Sequence, residues 1–112
     1  MHMIEAVIKP AALDGVKDKL SKLGIYGCTA LECKGFGKQK GHTERYRGGR
    51  MDVGFVPKVM LKIAVKNEDL EKAIDAVVST ARTGNVGDGK VFVSGLDKVV
   101  RIRTGESDND AL

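Results

Sequence analysis

Two segments near the carboxyl end of the chain contain the residue types that bind polyphosphates. The first is Gly87-Asp88-Gly89-Lys90, whose glycines allow backbone N–H groups to close around phosphate oxygens while the lysine adds a positive charge. The segment is not a Walker A loop, because the glycine spacing differs and a strand rather than a helix is expected next. An ordinary turn is the alternative for these four residues taken alone.

The second segment contains Arg101 and Arg103, within residues 99–103, which we predict to be extended. Side chains two positions apart on a strand project from the same face, so the two guanidinium groups would form a paired anion clamp. Lys90 brings a third cation to the same end of the predicted sheet, and Lys38 adds a fourth if the intervening chain folds back. A solvated basic edge is the alternative that the residues leave open.

A long segment, residues 37–57, has no helical or strand periodicity and interrupts an otherwise regular chain. Structureless loops longer than about 12–15 residues are uncommon in compact domains, and most of them are functional or disordered. The cationic and aromatic residues of this segment are Lys38, Lys40, Arg45, Tyr46, Arg47, Arg50 and Phe55. We therefore predict that the protein acts through this loop.

The remaining residues predict an α+β domain in the order β-α-β-β-α-β, which is the ferredoxin-like arrangement. The strands are expected at residues 3–9, 25–36, 58–66 and 91–94. Pro10 suits the first turn of one helix, Gly24 its carboxyl-terminal end, and Asn67 the cap of the second helix. Both helices would cover one face of the sheet, and the other face is not cleanly polar, which favours contact with another subunit. The apolar residues expected on that other face are Val7, Met60, Ala64 and Phe92.

The composition predicts one soluble domain, residues 1–112. The lack of a catalytic motif predicts that this domain is not an enzyme. Apolar residues make up 42% and charged residues 30% of the chain, and no segment resembles a transmembrane span or a signal peptide, so we expect a cytoplasmic protein. Cys28 and Cys33 would point to opposite faces of a strand, which favours reduced thiols over a disulfide or a zinc site. No catalytic Ser/His/Asp or Cys/His set has supporting spacing. These features favour a ligand-gated switch.

The sequence resembles the nitrogen regulatory PII signal-transduction proteins over essentially its whole length. The resemblance rests on KGFG at 34–37, QKGHTE at 39–44, YRG at 46–48, F at 55, PK at 57–58, ARTG at 81–84, GDGK at 87–90 and RIRTGE at 101–106. It implies a homotrimer with three ATP or ADP sites in the clefts between subunits. It also implies three loops, which are the T-loop at about residues 37–57, the B-loop at about 82–90 and the C-terminal loop at about 101–112.

The resemblance further implies a nucleotide site formed by Thr29, Gly35, Phe36, Gly37, Lys38, Ala64, Gly87, Asp88, Gly89, Lys90, Arg101 and Arg103. Arg101 and Arg103 would come from the neighbouring subunit. Thr29 and Ala64 would lie at the adenine. Gln39 matches the family's Mg²⁺ ligand, and 2-oxoglutarate would chelate the same metal ion. The residues expected to bind 2-oxoglutarate are Gln39, Lys40, Gly41 and Lys58.

The T-loop of the family docks on target proteins in conformations that depend on the bound ligands. By resemblance, the residues that would bind a partner here are Arg45, Tyr46, Arg47 and Arg50. Arg47 matches the arginine that enters the pore of an ammonium transporter in the family. The implied target is such a transporter or another protein of nitrogen or carbon metabolism. We expect no nucleic acid partner, and membrane contact only through a transporter.

Several positions depart from the family's pattern. Met51 replaces the tyrosine that is nucleotidylylated in the T-loop, and Gly49 stands where some members carry a phosphorylated serine, so neither modification is expected here. Arg50 stands where an acidic residue is common, which makes the loop tip more basic. Lys62 replaces a glutamate of the nucleotide pocket, and Lys38 replaces an arginine, which keeps a charge but loses the bidentate fork.

Two alternatives to this interpretation exist. An RNA-recognition motif has the same order of elements, and KGFG at 34–37 matches the start of its RNP1 motif. That match fails at Lys38, Gln39 and Lys40, where aromatic and apolar residues belong, and the first strand has no aromatic residue for a base to stack on. The second alternative is a specialised member of the PII family that controls a transporter or enzyme outside central glutamine metabolism.

Overall fold

The computed structural model describes residues 1–37 and 54–112, so most of the long loop lies outside the described residues. The predictions that fall there concern Lys38, Gln39, Lys40, Gly41, Arg45, Tyr46, Arg47, Gly49, Arg50 and Met51. The described elements, in chain order, are β1 (His2–Ile8), α1 (Leu13–Lys22), β2 (Cys28–Phe36), β3 (Phe55–Val65), α2 (Leu70–Ala81) and β4 (Gly89–Gly95).

This order confirms the predicted α+β, ferredoxin-like fold. The sheet has the order β2-β3-β1-β4, and all neighbouring strands are antiparallel. Short 3-10 turns at Pro10–Ala12 and Asn67–Asp69 lead into α1 and α2. Gly24 follows α1 with φ +80°, as expected for a glycine that ends a helix. No helix among residues 1–37 and 54–112 is long and apolar enough to cross a membrane.

The core lies between the sheet and the two helices, and strand alternation determines its members. Ile4 of β1 pairs with Ile63 of β3, and both side chains are completely buried. The core residues include Ile4, Ala6, Ile8, Val59, Leu61, Ile63 and Val65 from the strands, and Val16, Leu20, Ala73, Ala76, Val77 and Ala81 from the helices. Burial of a large aliphatic side chain contributes about 1.5–3 kcal/mol. The packed layer therefore holds β1 and β3 in fixed positions relative to the helices.

The other face of the sheet carries the apolar residues that the sequence predicts for it. Val7 pairs with Met60 across β1 and β3, and Phe92 of β4 lies on the same face with 53% of its surface exposed. Glu5 and Lys62, which also pair across β1 and β3, form an ion pair with 3.5 Å between Oε2 and Nζ. Contact of this face with another subunit stays a prediction.

The hairpin at the base of the long loop begins earlier than predicted. β3 starts at Phe55 rather than at residue 58, and Phe55 pairs with Phe36 at the end of β2. The two rings lie 5.7 Å apart between centroids. A Cβ atom on Gly54 would overlap the Phe36 ring, so a larger residue there would displace the ring from this position. Both rings are mostly exposed, and for that reason no buried–exposed alternation revealed this part of the strand.

Asn67 does not cap α2, contrary to the prediction. Its side-chain oxygen accepts a hydrogen bond from the amino group of Met1 at 2.6 Å, and the 3-10 turn that begins at Asn67 has no side-chain cap. A charged ammonium group is a stronger donor than a backbone N–H. The side chain therefore ties the amino terminus to the start of α2 instead of closing the helix.

The prediction that residues 99–103 are extended is wrong for their second half, because Val100 forms a bridge with Ser107 but residues 102–104 form a turn. Arg101 begins a turn in which the N–H of Gly105 donates to the Arg101 carbonyl at 2.8 Å. Gly105 adopts φ +76°, which side-chain-bearing residues rarely adopt, and only an isolated bridge joins Val100 to Ser107 in the described part of the chain. Because the glycine reverses the chain, Arg101 and Arg103 do not share a strand face, and the strand-based argument for a clamp does not hold.

Candidate functional site

A cleft of about 570 Å³ opens at the end of the sheet where β2 finishes and β4 begins. Its lining residues are Val7, Gly35, Phe36, Gly37, Lys58, Val86, Gly87, Gly89, Lys90 and Phe92. Strand register brings these residues together, since Gly89 pairs with Ile8 at the same end of the sheet where Phe55 pairs with Phe36. The cleft thus brings the Gly87–Lys90 segment, which the sequence predicts to bind phosphate, next to Gly35 and Gly37, which the resemblance assigns to the nucleotide site, and it also includes Lys58.

The loop before β4 is closed by the carboxylate of Asp88. Thr83 donates to it from its backbone N–H at 2.7 Å and from its hydroxyl at 2.5 Å, and the N–H of Gly84 donates at 2.9 Å. Lys9 adds an ion pair with 3.2 Å between Nζ and Oδ1. The hydrogen bonds from Thr83 hold the pKa of the Asp88 carboxyl far below its usual range, so it stays ionised. The Asp88 carboxylate is therefore engaged within the loop, and Asp88 does not line the cleft of about 570 Å³.

Two glycines allow the loop to approach the sheet closely. Gly87 and Gly89 adopt φ +100° and +106°, a region that other residues rarely enter. A Cβ atom on Gly89 would overlap the carbonyl oxygen of Val7. The backbone of β4 thus begins directly against β1, and the glycines line the same cleft in which Lys90 and Lys58 supply positive charge.

Lys58 is the one charged side chain classed as buried among the described residues, with 5% of its surface exposed. Its ammonium donates a hydrogen bond of 2.5 Å to the carbonyl oxygen of Gly87. Burial lowers the pKa of this ammonium, the nearby Lys9 lowers it further, and Asp88 acts in the opposite direction. The family resemblance implies that Lys58 binds 2-oxoglutarate, and the sequence contains no signal that it also contacts the B-loop.

Other predicted nucleotide ligands do not line this cleft. Thr29 lies on the same sheet face as its cross-strand partner Lys62, and Ala64 pairs with Met3 near the opposite end of β1. Arg101 and Arg103, in the turn after β4, are also absent from the lining. All four residues therefore lie outside the cleft of their own chain, and the resemblance implies that the two arginines come from a neighbouring subunit.

The two arginines differ in what surrounds them. The Arg101 guanidinium is 2.8 Å from Oε1 of Glu106 and donates a second hydrogen bond to the carbonyl oxygen of Ala111 at 3.3 Å. Thr104 donates to the same carboxylate oxygen at 2.9 Å. Arg103 is exposed and has no ion-pair partner in the described part of the chain. Arg101 therefore organises the C-terminal turn, whereas the charge of Arg103 is available to a ligand.

Sequence reasoning missed several residues that shape the cleft. Lys9 and Thr83 anchor Asp88, although the first looked like the end of a strand and the second like ordinary loop sequence. Val86 and Phe92 line the cleft with apolar surface. The Thr83–Asp88 contact had a detectable signal, because a threonine and an aspartate flanking a glycine-containing loop commonly bond to its backbone.

Comparison with known proteins identifies the relatives of this chain. The family model described as "Nitrogen regulatory protein P-II" matches residues 1–106. Proteins named nitrogen regulatory protein P-II from Pasteurella multocida and Rhizobium etli are 52% and 50% identical to it over 112 residues, covering all of both chains. The chain belongs to the P-II family. Membership of this family confirms the resemblance and contradicts the alternative that the chain is an RNA-recognition motif.

The family is named for a regulatory role, which supports the prediction that this P-II protein is a signalling regulator and not an enzyme. Regulation of this kind implies interaction with target proteins. Among the described residues of the P-II protein, no group of three or more His, Cys, Asp or Glu side chains could hold a metal ion.

Proposed function

We propose that this P-II protein senses ATP or ADP together with 2-oxoglutarate and regulates its targets through the T-loop, as a homotrimer in the cytoplasm. The observation that carries the proposal is the cleft at the end of the sheet. Gly87, Gly89, Lys58 and Lys90 all line this one cleft. Backbone N–H groups and lysines in this arrangement suit a polyphosphate, because both supply positive charge without a bulky side chain.

The shape of the cleft also supports a nucleotide. Val86 and Phe92 line it with apolar surface, and its volume of about 570 Å³ lies in the range of sites for small organic ligands. Under the proposal, Arg101 and Arg103 of the next subunit complete the phosphate site, and Thr29 and Ala64 contact the adenine. Mg²⁺ would neutralise the phosphates and join them to the dicarboxylate, with Gln39 as the protein ligand.

The metabolite site is proposed to overlap the nucleotide site at the base of the T-loop. Lys58 lines the cleft, and we assign its ammonium to one carboxylate of 2-oxoglutarate, with Lys40 and Gly41 contributing from the loop. Because 2-oxoglutarate and the nucleotide would then share one Mg²⁺ ion, each should bind more tightly in the presence of the other by the same factor. The T-loop would change conformation when both are present.

The first test is the replacement Gln39→Glu. The new carboxylate places a second negative charge beside the dicarboxylate, so we expect the coupling between Mg-ATP and 2-oxoglutarate to disappear while ADP binding without metal persists. Calorimetry with ATP, ADP and 2-oxoglutarate on the wild type and the variant measures this.

Asn67→Asp is the matched amide-to-acid control for this test. Asn67 lies outside the lining of the cleft, and a carboxylate there can still accept the hydrogen bond from the amino group of Met1. We expect this variant to keep the coupling between the two ligands. Tight 2-oxoglutarate binding to wild type without nucleotide would contradict the proposal.

We further propose that the output depends on loop conformation alone. Met51 and Gly49 stand at the positions that other members modify, so neither nucleotidylylation nor serine phosphorylation is available there. The target in this proposal is an ammonium transporter, bound by Arg45, Tyr46, Arg47 and Arg50 when the protein holds ADP. Mg-ATP with 2-oxoglutarate would release it. The basic Arg50 and the unmodifiable Met51 also suit a specialised member with a different target.

The second test is a pull-down of an ammonium transporter by wild type and by Arg47→Ala. With ADP, we expect wild type to retain the transporter and the variant to lose it, because a pore-entering guanidinium supplies the central contact of the interface. Addition of Mg-ATP and 2-oxoglutarate should release the transporter from the wild-type protein. Lys98→Ala removes one positive charge outside the T-loop and serves as the control. If the Arg47→Ala variant also retains the transporter, and Mg-ATP with 2-oxoglutarate does not release it from wild type, the protein would be expected to have another target.

A further inference from the structure

Lys58 connects two parts of the cleft that are far apart in the sequence. Its position in β3 places it opposite Cys33 of β2, and its side chain reaches across the sheet end to the carbonyl oxygen of Gly87 in the B-loop. A Cβ atom on Gly35 would lie 3.1 Å from Cγ of Lys58, so the absence of a side chain at Gly35 leaves room for the lysine stem. The stem is thus held between β2 and the loop, which directs the ammonium to Gly87.

This hydrogen bond is significant because Lys58 as a whole has only 5% of its surface exposed. Removing a charged group from water is costly unless the protein supplies partners, and the Gly87 carbonyl is the hydrogen-bond acceptor that the described residues provide. A charged donor makes a stronger hydrogen bond than a neutral one. Loss of the ammonium would therefore release the Gly87 carbonyl from the sheet.

Gly87 is a point at which the loop needs support. Its φ of +100° lies in a region that is open mainly to glycine, and glycine has more backbone freedom than any other residue. On one side of Gly87, the Asp88 carboxylate ties the loop to Thr83 and Lys9. On the cleft side, Lys58 supplies the corresponding attachment. The two attachments together determine where the backbone N–H groups of the loop point.

We propose that Lys58 is a positioning residue for phosphate binding, which holds the Gly87 carbonyl so that the B-loop accepts a nucleoside polyphosphate before any dicarboxylate is present. The inference rests on the proposed function and goes beyond the role of Lys58 as a 2-oxoglutarate ligand. It also supplies a physical connection between the two ligands. A lysine ammonium has three N–H donors, so a dicarboxylate that accepts from one of them would hold the ammonium in place while it continues to donate to the Gly87 carbonyl.

The test compares wild type with Lys58→Met and Lys58→Gln, using ADP without metal or 2-oxoglutarate. Both variants keep a side chain of similar length or polarity but lose the ammonium, and we expect ADP affinity to fall about tenfold. Lys34→Met is the matched control, because it removes the same charge from an exposed lysine on the same hairpin. Amide hydrogen exchange of the free proteins provides the second readout. Residues 83–90 should exchange faster in both Lys58 variants, while α2 and β1 stay as protected as in wild type.

The outcomes separate the inference from the proposed function. If wild type binds no ADP, the proposed function fails and the inference fails with it. If wild type binds ADP and either folded Lys58 variant binds it equally well with unchanged exchange at residues 83–90, the inference alone is overturned. Weaker ADP binding with unchanged exchange would also overturn it, because the ammonium would then act only through its charge. Two independent variants keep the test decisive if one of them does not fold.

Discussion

Replacing Gly89 by alanine is expected to lower the free energy of unfolding by roughly 2–5 kcal/mol. The added Cβ atom would overlap the Val7 carbonyl oxygen and lie 2.8 Å from its carbon, so the clash is with backbone that no rotamer change can move. The φ of +106° adds strain for any side-chain-bearing residue. Relief requires separation of the start of β4 from β1, which also displaces Lys90. ATP affinity should therefore fall with stability, as calorimetry and chemical denaturation would measure.

Gly95→Ala is the matched control for this replacement. Gly95 ends the same strand, but a Cβ atom there would meet nothing within 4 Å, and its φ is not positive. We expect that variant to change stability by no more than about 1 kcal/mol, since alanine at a compatible position mainly reduces the freedom of the unfolded chain. Equal stability of the two variants would show that the contact between Gly89 and Val7 does not constrain the fold.

Arg103→Ala is expected to weaken ATP binding by about 1.5–3 kcal/mol, the range for a lost hydrogen bond to a charged group. Arg103 suits this test better than Arg101, because it lacks an ion-pair partner among the described residues and its removal leaves no carboxylate unpaired there. Removal of Arg101 would instead release Glu106 and disturb the C-terminal turn. Titration calorimetry with ATP measures the change directly.

Lys98→Ala controls for the loss of one positive charge, since Lys98 is exposed and lies shortly before the same turn. Its affinity for ATP should stay close to that of wild type apart from a small, salt-dependent effect. Adenosine, which lacks phosphates, should bind wild type and Arg103→Ala alike. Wild-type ATP affinity of the Arg103→Ala protein would show that this residue does not belong to the nucleotide site, and Lys58 and Lys90 would then have to balance the phosphate charge without it.

The success of the sequence interpretation differs between the core and the loops for a physical reason. The strands β1 and β3 could be predicted because each has one face against the helices, so that buried residues such as Ile4, Leu61 and Ile63 fall on alternate positions. At Phe36 and Phe55 both rings are exposed, so the sequence shows no alternation of buried and exposed residues there. For this reason the start of β3 was predicted too late in the chain. The extended interpretation of residues 99–103 failed because apolar alternation there was followed by a glycine that reverses the chain.

The sequence predicted the order of elements, the family and the segments that contain the candidate binding residues. This was possible because periodicity, glycine positions and local motifs are properties of neighbouring residues. How those segments meet became visible only in the folded chain. The Lys58 bond to Gly87 spans 29 positions, and the close approach of Gly89 to Val7 depends on strand register. The pairing of Arg101 with Glu106 depends on a turn instead of a strand. Such contacts arise from packing between segments, and local sequence patterns do not encode the distances between them.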